Sequence, residues 1–331
     1  MKLFIYISCP EDETIEVWKF KNSNSIELIQ KIFTPGQAQP IKIIKKINKL
    51  YVGIRPKYSI ITYNINLDGT LNEFSRTRLP VSPNHISSDI NQNFLFVSSY
   101  KYGSIVLLPL DNFYVPQKYT QKISILDGCH FSYLEERTNT LFVTSLLKDK
   151  IYLYPFKKKI GLEEKNFFYI ETNKKSGPRH MAFHKKKEIA YSINELNSTV
   201  NVWKLSKNIK KIKCIQTINI LPNNYIGSRW AAEIRLNLFN NFLYTSDRAA
   251  NLISLFSINE ETNLLKFEKC FETENQPRSF NIDEKNKKLI VLGQKSNRMI
   301  IYNICSKTGY LLKEKSILVG KGPIWLETLY K

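Results

Sequence analysis

The sequence predicts an all-β fold: a seven-bladed β-propeller forming one domain over residues 1–331, with its last blade closed by strands from both ends of the chain. Three recurrences point there. An apolar run, usually Leu followed by an aromatic, returns seven times. A second apolar pair follows each run, and a third motif, often with Pro, opens each unit. Periods of this length are the mark of a repeat architecture.

The first motif reads Leu3-Phe4-Ile5, Leu50-Tyr51-Val52, Leu95-Phe96-Val97 and Leu141-Phe142-Val143, then Ile189-Ala190-Tyr191, Leu243-Tyr244-Thr245 and Leu289-Ile290-Val291. Its steps are 45 to 48 residues, except one of 54 that carries an insertion around Asn219 to Ser228. The second motif reads Ile15…Trp18, Ile60…Tyr63, Ile105…Leu108, Ile151…Tyr154, Val200…Trp203, Ile253…Phe256 and Met299…Tyr302. It lies 10 residues beyond the first motif in five units, 11 in one and 12 in the first. Two β-rich runs at fixed spacing across a polar turn form an antiparallel hairpin. Turn signals (Asp68-Gly69, Gly161, Gly309) precede the next unit, and four short strands per unit make a propeller blade. Trp18 and Trp203 hold matching places and read as core between blades. The segment Gly322 to Leu326 reads as an innermost strand, whereas the chain starts with a second strand at Leu3. Both ends therefore complete one blade and remove exposed sheet edges.

Composition narrows the function classes. Hydrophobic residues make up 43% of the chain, but they are too interrupted for a membrane span. The apolar stretch Leu3 to Ile7 is shorter than the roughly 7–15 residues of a secretory core, so a cytoplasmic strand is expected. Five scattered cysteines without C-x-x-C spacing argue for reduced thiols, against disulfides and against a zinc site. The net charge is +20, yet the excess is lysine in runs such as Lys45-Lys46, Lys157 to Lys159 and Lys185 to Lys187. These read as solvated turns and not as a nucleic-acid track, although the field favours anionic substrates.

The third motif reads Gln39-Pro40, Ser82-Pro83-Asn84-His85, Asp127-Gly128-Cys129-His130 and Gly177-Pro178-Arg179-His180, then Arg229-Trp230-Ala231, Gln276-Pro277-Arg278-Ser279 and Gly322-Pro323-Ile324-Trp325. Three of the four histidines (His85, His130, His180) fall at one repeat position, and His184 lies outside it. In an antiparallel blade the innermost strand begins where the second strand ends. The second strands end at Arg55, Tyr100, Leu146, Asn194-Glu195, Arg248 and Gln294-Lys295, so both sets share one rim of the channel. Pro and Gly there are ordinary turn chemistry. Polar groups converging at a channel mouth are a candidate binding site, and co-location singles out Arg179, Glu195, His130 and Arg278.

These segments, with Asn194 to Ser198, Arg229 to Ala232, Gly293 to Ser296, Ile5 to Ser8 and Tyr51 to Pro56, resemble the bacterial propeller-type 6-phosphogluconolactonases from end to end. The resemblance implies hydrolysis of 6-phospho-D-glucono-1,5-lactone to 6-phosphogluconate, in the oxidative pentose phosphate pathway. That family is similar in fold to the fungal carboxymuconate lactonising enzyme, whose site it maps onto His130, Arg179 and Glu195, with Arg278 beside them. A δ-lactone is an activated ester, so a base and an oxyanion donor suffice without metal, cofactor or covalent nucleophile. G-x-S-x-G and H-E-x-x-H are both absent. Either Glu195 or His130 is expected to activate water while Arg179 polarises the carbonyl. Arg278, Arg248, Arg55 and Lys295 are the candidates for the 6-phosphate, with His180, His85 and Gln294 lining the site. A monomer with a small phosphorylated sugar lactone as its partner is expected. The alternatives are a lactonising cycloisomerase acting on a dicarboxylate, or a non-enzymatic propeller scaffold.

Overall fold

Second strands such as Leu3–Cys9 are buried along their whole length and, apart from Ser8, apolar, because both faces are covered. Leu3, Ile5, Ile7 and Cys9 pack toward the preceding blade, whereas Phe4 and Tyr6 pack toward the following one. This period of two is the pleat of a strand wedged between two sheets. Outermost strands differ: in Leu71–Arg78 only Leu71 is buried, because the other face meets solvent.

The computed structural model describes every residue except Met1, Ser23, Asn24, Leu238, Asn240, Glu284 and Asn286. Its strands form seven antiparallel sheets in chain order. Three of them, for example, hold Cys129–Glu135, Pro178–Phe183 and Ala231–Leu236 as innermost strands. Among the described residues seven apolar clusters occur, one at each interface between neighbouring blades. Trp18 and Trp203 are buried in two of them, as their matching places predict. The ring closes where Trp325–Tyr330 pairs antiparallel with Leu3–Cys9, from Ser8 opposite Trp325 to Leu3 opposite Tyr330. The longest repeat step is taken up by the irregular segment 220–230 between Lys213–Asn219 and Ala231–Leu236. No helix among the described residues is long and apolar enough to cross a membrane.

The pairing register corrects the repeat spacing. Ile5 lies opposite Trp18, as Leu50 lies opposite Tyr63 and Leu141 opposite Tyr154. Ala190, not Ile189, lies opposite Trp203. The equivalent runs are thus Ile5-Tyr6-Ile7 and Ala190-Tyr191-Ser192, and the two motifs stand 10 residues apart in every blade. The next position along is then Tyr6, Tyr51, Phe96, Phe142, Tyr191, Tyr244 and Ile290.

Each of its four tyrosines has one task. Tyr6, Tyr51, Tyr191 and Tyr244 donate their hydroxyls to the carbonyls of Gly69, Tyr114, Asn263 and Gly309, each in an outer turn of the next blade. Gly69 suits that turn because its φ is +87° and a Cβ there would collide with the Phe4 ring. Burial raises the Tyr6 phenol far above its ordinary value, so it stays a donor. Since Phe96 and Phe142 pack at equivalent places without a hydroxyl, Tyr6→Phe should keep the fold and lose one buried bond. Urea unfolding should show a loss of about 1–2 kcal/mol; an unchanged midpoint would mean that the bond contributes nothing.

Candidate active site

Innermost strands begin at the mouth of the channel, and five of them bulge near their starts, three at candidate residues. Cys129 pairs with Ser145 but Phe131 with Thr144, leaving His130 as the extra residue. The same slip leaves Arg179 unpaired between Pro178 and His180, and Arg278 between Pro277 and Ser279. A β-bulge re-aims one side chain out of the alternation. Here it turns one imidazole and two guanidiniums toward the same opening. The slip also separates the three histidines that looked equivalent in sequence. His85 and His180 align with Phe131, one level below His130.

Glu195, just past the second strand Ile189–Asn194, is the centre of the mouth. Its Oε2 lies 2.9 Å from Arg179 Nε and 2.8 Å from Arg248 Nη2. Its Oε1 accepts from the indole N–H of Trp230 at 3.2 Å, and the Arg248 guanidinium stacks 3.7 Å over that ring. Burial works to raise the Glu195 carboxyl, but Arg179, Arg248 and the Trp230 bond outweigh it and hold it below its usual range. Burial and the neighbouring Arg179 press the Arg248 guanidinium down. Arg179, 2% exposed, is also pressed down by burial, and Glu195 and Glu233 oppose that shift.

His130 stands beside this cluster, its ring 5.0 Å from that of His180 and 6.2 Å from that of Tyr100. Burial, then Arg179, His180, Arg278 and Arg248, push its pKa well below the ordinary value, so the ring is neutral. Its Nδ1 is buried without a hydrogen-bond partner. Arg278 faces Arg179, Glu195 and Arg55 electrostatically, and burial lowers it to about 10. Among the described residues it has no hydrogen-bond or ion-pair partner, so its fork is available.

The remaining candidates divide. Arg55 is already engaged: its Nε donates to the Pro83 carbonyl at 2.9 Å and its Nη2 reaches Asn84 Oδ1 at 3.3 Å. Asn84 in turn donates to the His130 carbonyl at 3.0 Å, tying three blades together. Gln294 and Lys295 reach the rim, with backbone N–H groups bonded to Gln276 and Asn275. Lys295 is exposed, and neither side chain is bonded to the Glu195 cluster. His85 and His180 lie deeper, their rings packed with Phe131 and Trp325. Below them, toward the opposite end of the channel, a cavity of about 300 Å³ is lined by Lys42, His85, Arg235, Trp325 and Glu327, among others. No group of three or more His, Cys, Asp or Glu among the described residues is arranged to hold a metal ion.

Sequence reasoning assigned no role to Trp230 or Glu233. Trp230 stood in an opening motif, but nothing showed that its indole would turn onto Glu195. Glu233 follows Ala231-Ala232, where most other blades carry Pro, and only the fold brings it from the neighbouring blade to 2.9 Å from His180 Nδ1.

A bulged imidazole beside guanidiniums gathered around a carboxylate can activate water and stabilise an oxyanion. Curated relatives match the chain nearly end to end. The 6-phosphogluconolactonase of Buchnera aphidicola subsp. Acyrthosiphon pisum (strain 5A) is 44% identical over 328 residues, covering 98% of each chain. That of Erwinia tasmaniensis is 37% identical over 326 residues, again covering 98% of each. In fold the chain is similar to the periplasmic gluconolactonase PpgL of Pseudomonas aeruginosa, with a TM-score of 0.92 at 19% identity over 100% of this chain and 99% of that one. A family model described as "Lactonase, 7-bladed beta-propeller" matches residues 4–328, and the chain belongs to that family.

Proposed function

We propose that this chain hydrolyses 6-phospho-D-glucono-1,5-lactone to 6-phosphogluconate, with His130 as general base. The observation that carries this reading is a neutral imidazole, unpartnered at Nδ1, beside a buried arginine on the mouth of a lactonase-family propeller. Of the two candidate bases, Glu195 is the less suited. Its Oε1 accepts from Trp230, its Oε2 is ion-paired with Arg179 and Arg248, and these two guanidiniums stabilise its charged form against taking a proton. It serves to hold Arg179 and Arg248 in place. Arg179 polarises the lactone carbonyl, and Arg278, whose fork has no partner, takes the 6-phosphate bidentately. The magnitudes suffice. A positioned base supplies about 10²–10⁴-fold, or roughly 3–5 kcal/mol, and an oxyanion donor adds about 3–4 kcal/mol. A cytoplasmic monomer acting on a small anionic substrate fits this reading, and its five free cysteines are in keeping with a reducing compartment.

The test is direct. Purified protein is mixed with freshly generated lactone, and 6-phosphogluconate is followed through a coupled dehydrogenase. A rate no faster than spontaneous hydrolysis would overturn the assignment. Competition by a muconate-type dicarboxylate but not by 6-phosphogluconate would favour the cycloisomerase.

Arg179→Ala should lower kcat at least tenfold in a folded protein, and wild-type turnover would remove Arg179 from the mechanism. Arg278→Ala should raise KM for the phosphorylated lactone about 10- to 100-fold, the worth of one charged hydrogen-bonding group at roughly 1.5–3 kcal/mol. It should leave turnover of the unphosphorylated lactone nearly unchanged, and equal losses on both substrates would contradict a phosphate role.

The three histidines of the channel set an acid limit. Burial lowers His85 and His130 well below the ordinary value and His180 to about 4, whereas in the unfolded chain all three titrate near 6.5. As pH falls below about 6.5 the unfolded chain gains protons that the fold refuses, so stability falls. The slope is about 1.4 kcal/mol per pH unit for each histidine, about 4 for three. Urea unfolding at pH 7.5, 6.5 and 5.5 reads it, and a flat profile would mean that the rings are charged in the fold.

A further inference from the structure

Glu233 is buried at the level below the reaction mouth, 3% exposed, on the innermost strand Ala231–Leu236. Its Oε1 lies 2.9 Å from His180 Nδ1 and also accepts from the backbone N–H of Ile234 at 3.1 Å. Its Oε2 lies 3.5 Å from Arg235 Nη2. Burial works to raise its carboxyl, but Arg235 and His180 outweigh it and hold it at about 2. It is a carboxylate, and a carboxylate only accepts. The proton between the two residues therefore sits on His180 Nδ1.

That fixes the rest of the ring. Arg179 Nη1 lies 3.3 Å from His180 Nε2 and 3.4 Å from Nδ1, and it also donates to the Ala232 carbonyl. Nearly equal distances to the two ring nitrogens place Nη1 over the face of the imidazole and not along either lone pair, so the guanidinium meets the π face of a neutral ring. The other tautomer would set the Nδ1 lone pair against the Glu233 carboxylate. A doubly protonated ring would face Arg179 with like charge. Only one form of His180 meets both neighbours.

We propose that Glu233, acting through His180, positions the Arg179 guanidinium beneath the lactone carbonyl. Glu233 and His180 are thus positioning residues, and Arg179 is held from two sides, by Glu195 at the mouth and by His180 below. The inference rests on the lactonase reading for its kinetic part, but not for its tautomer. A shift of about 1 Å in a polarising group is enough to cost about 10²-fold in rate. His130, Phe131, His85 and Trp325 close the ring's remaining surroundings, at centroid distances of 5.0, 5.4, 5.8 and 6.1 Å.

The test has two readouts. With only four histidines in the chain, ¹⁵N-labelled imidazoles can be assigned by NMR. His180 should be neutral with its proton on Nδ1 from pH 7.5 down to pH 6, and Glu233→Gln should weaken or reverse that preference. In kinetics Glu233→Gln should lower kcat about tenfold or more with KM within about threefold. His180→Leu, which takes the ring face away from Arg179, should lose as much as Glu233→Gln. Adding Glu233→Gln to His180→Leu should cost little more. A wild-type His180 protonated on Nε2, or a folded Glu233→Gln enzyme with wild-type kcat, overturns the proposal. Wild-type protein without lactonase activity overturns the kinetic role along with the functional reading, while the NMR result still decides the tautomer.

Discussion

Each blade is stable only if both faces of its second strand are covered, and that requirement organises the whole molecule. A strand such as Leu3–Cys9 exposes apolar side chains to both sides, so no single sheet can satisfy it. Seven wedges meet the requirement together, with an apolar cluster in every seam and tyrosine hydroxyls bridging four of them. Innermost strands are then forced to converge. Their starts meet at one mouth whatever residues they carry, and this leaves the mouth free to accept costly side chains.

Those costs are real. Arg179, Arg248, Glu195 and Glu233 lie where water reaches little of them, and an unpaired ion there is expensive. The fold answers with alternating sign: Arg248, Glu195, Arg179, His180, Glu233 and Arg235 form one connected series from the mouth inward. Each member is held by its neighbours, so the polar groups at the mouth are oriented before substrate arrives. Arg278 is the exception, left without a partner on the protein among the described residues. The mouth also keeps an excess of positive charge, which suits an anionic substrate.

Much of this was legible in the sequence because burial on two faces leaves a strong, regular trace. Closure by the chain's far end beside Leu3–Cys9 followed from that trace, although the closing strand runs Trp325–Tyr330 and not Gly322 to Leu326. The register was harder to read. Leu3 and Ile189 extend their strands with apolar residues, so the run seemed to start early, and only the partner strand fixes where it counts. The bulges left no mark in the residues. His130 looked equivalent to His85 and His180, although one inserted residue lifts it to the mouth. Glu233 was hidden by the bland Ala231-Ala232 before it. Strand ends such as Gln294 and Lys295 share the rim by topology, but position along a strand does not say how far a side chain reaches.

The closing strand also has a meaning in time. Leu3–Cys9 is synthesised well before its partner Trp325–Tyr330, which follows about 300 residues later. At about 5–20 residues per second, the first strand waits roughly 15–60 s with one long edge unpaired. Throughout that interval it carries Leu, Phe, Ile and Tyr on a ready-made template for another chain, the condition under which strands aggregate. Sealing the ring therefore waits for Trp325–Tyr330, and the nascent chain depends on whatever shelters Leu3–Cys9 until then.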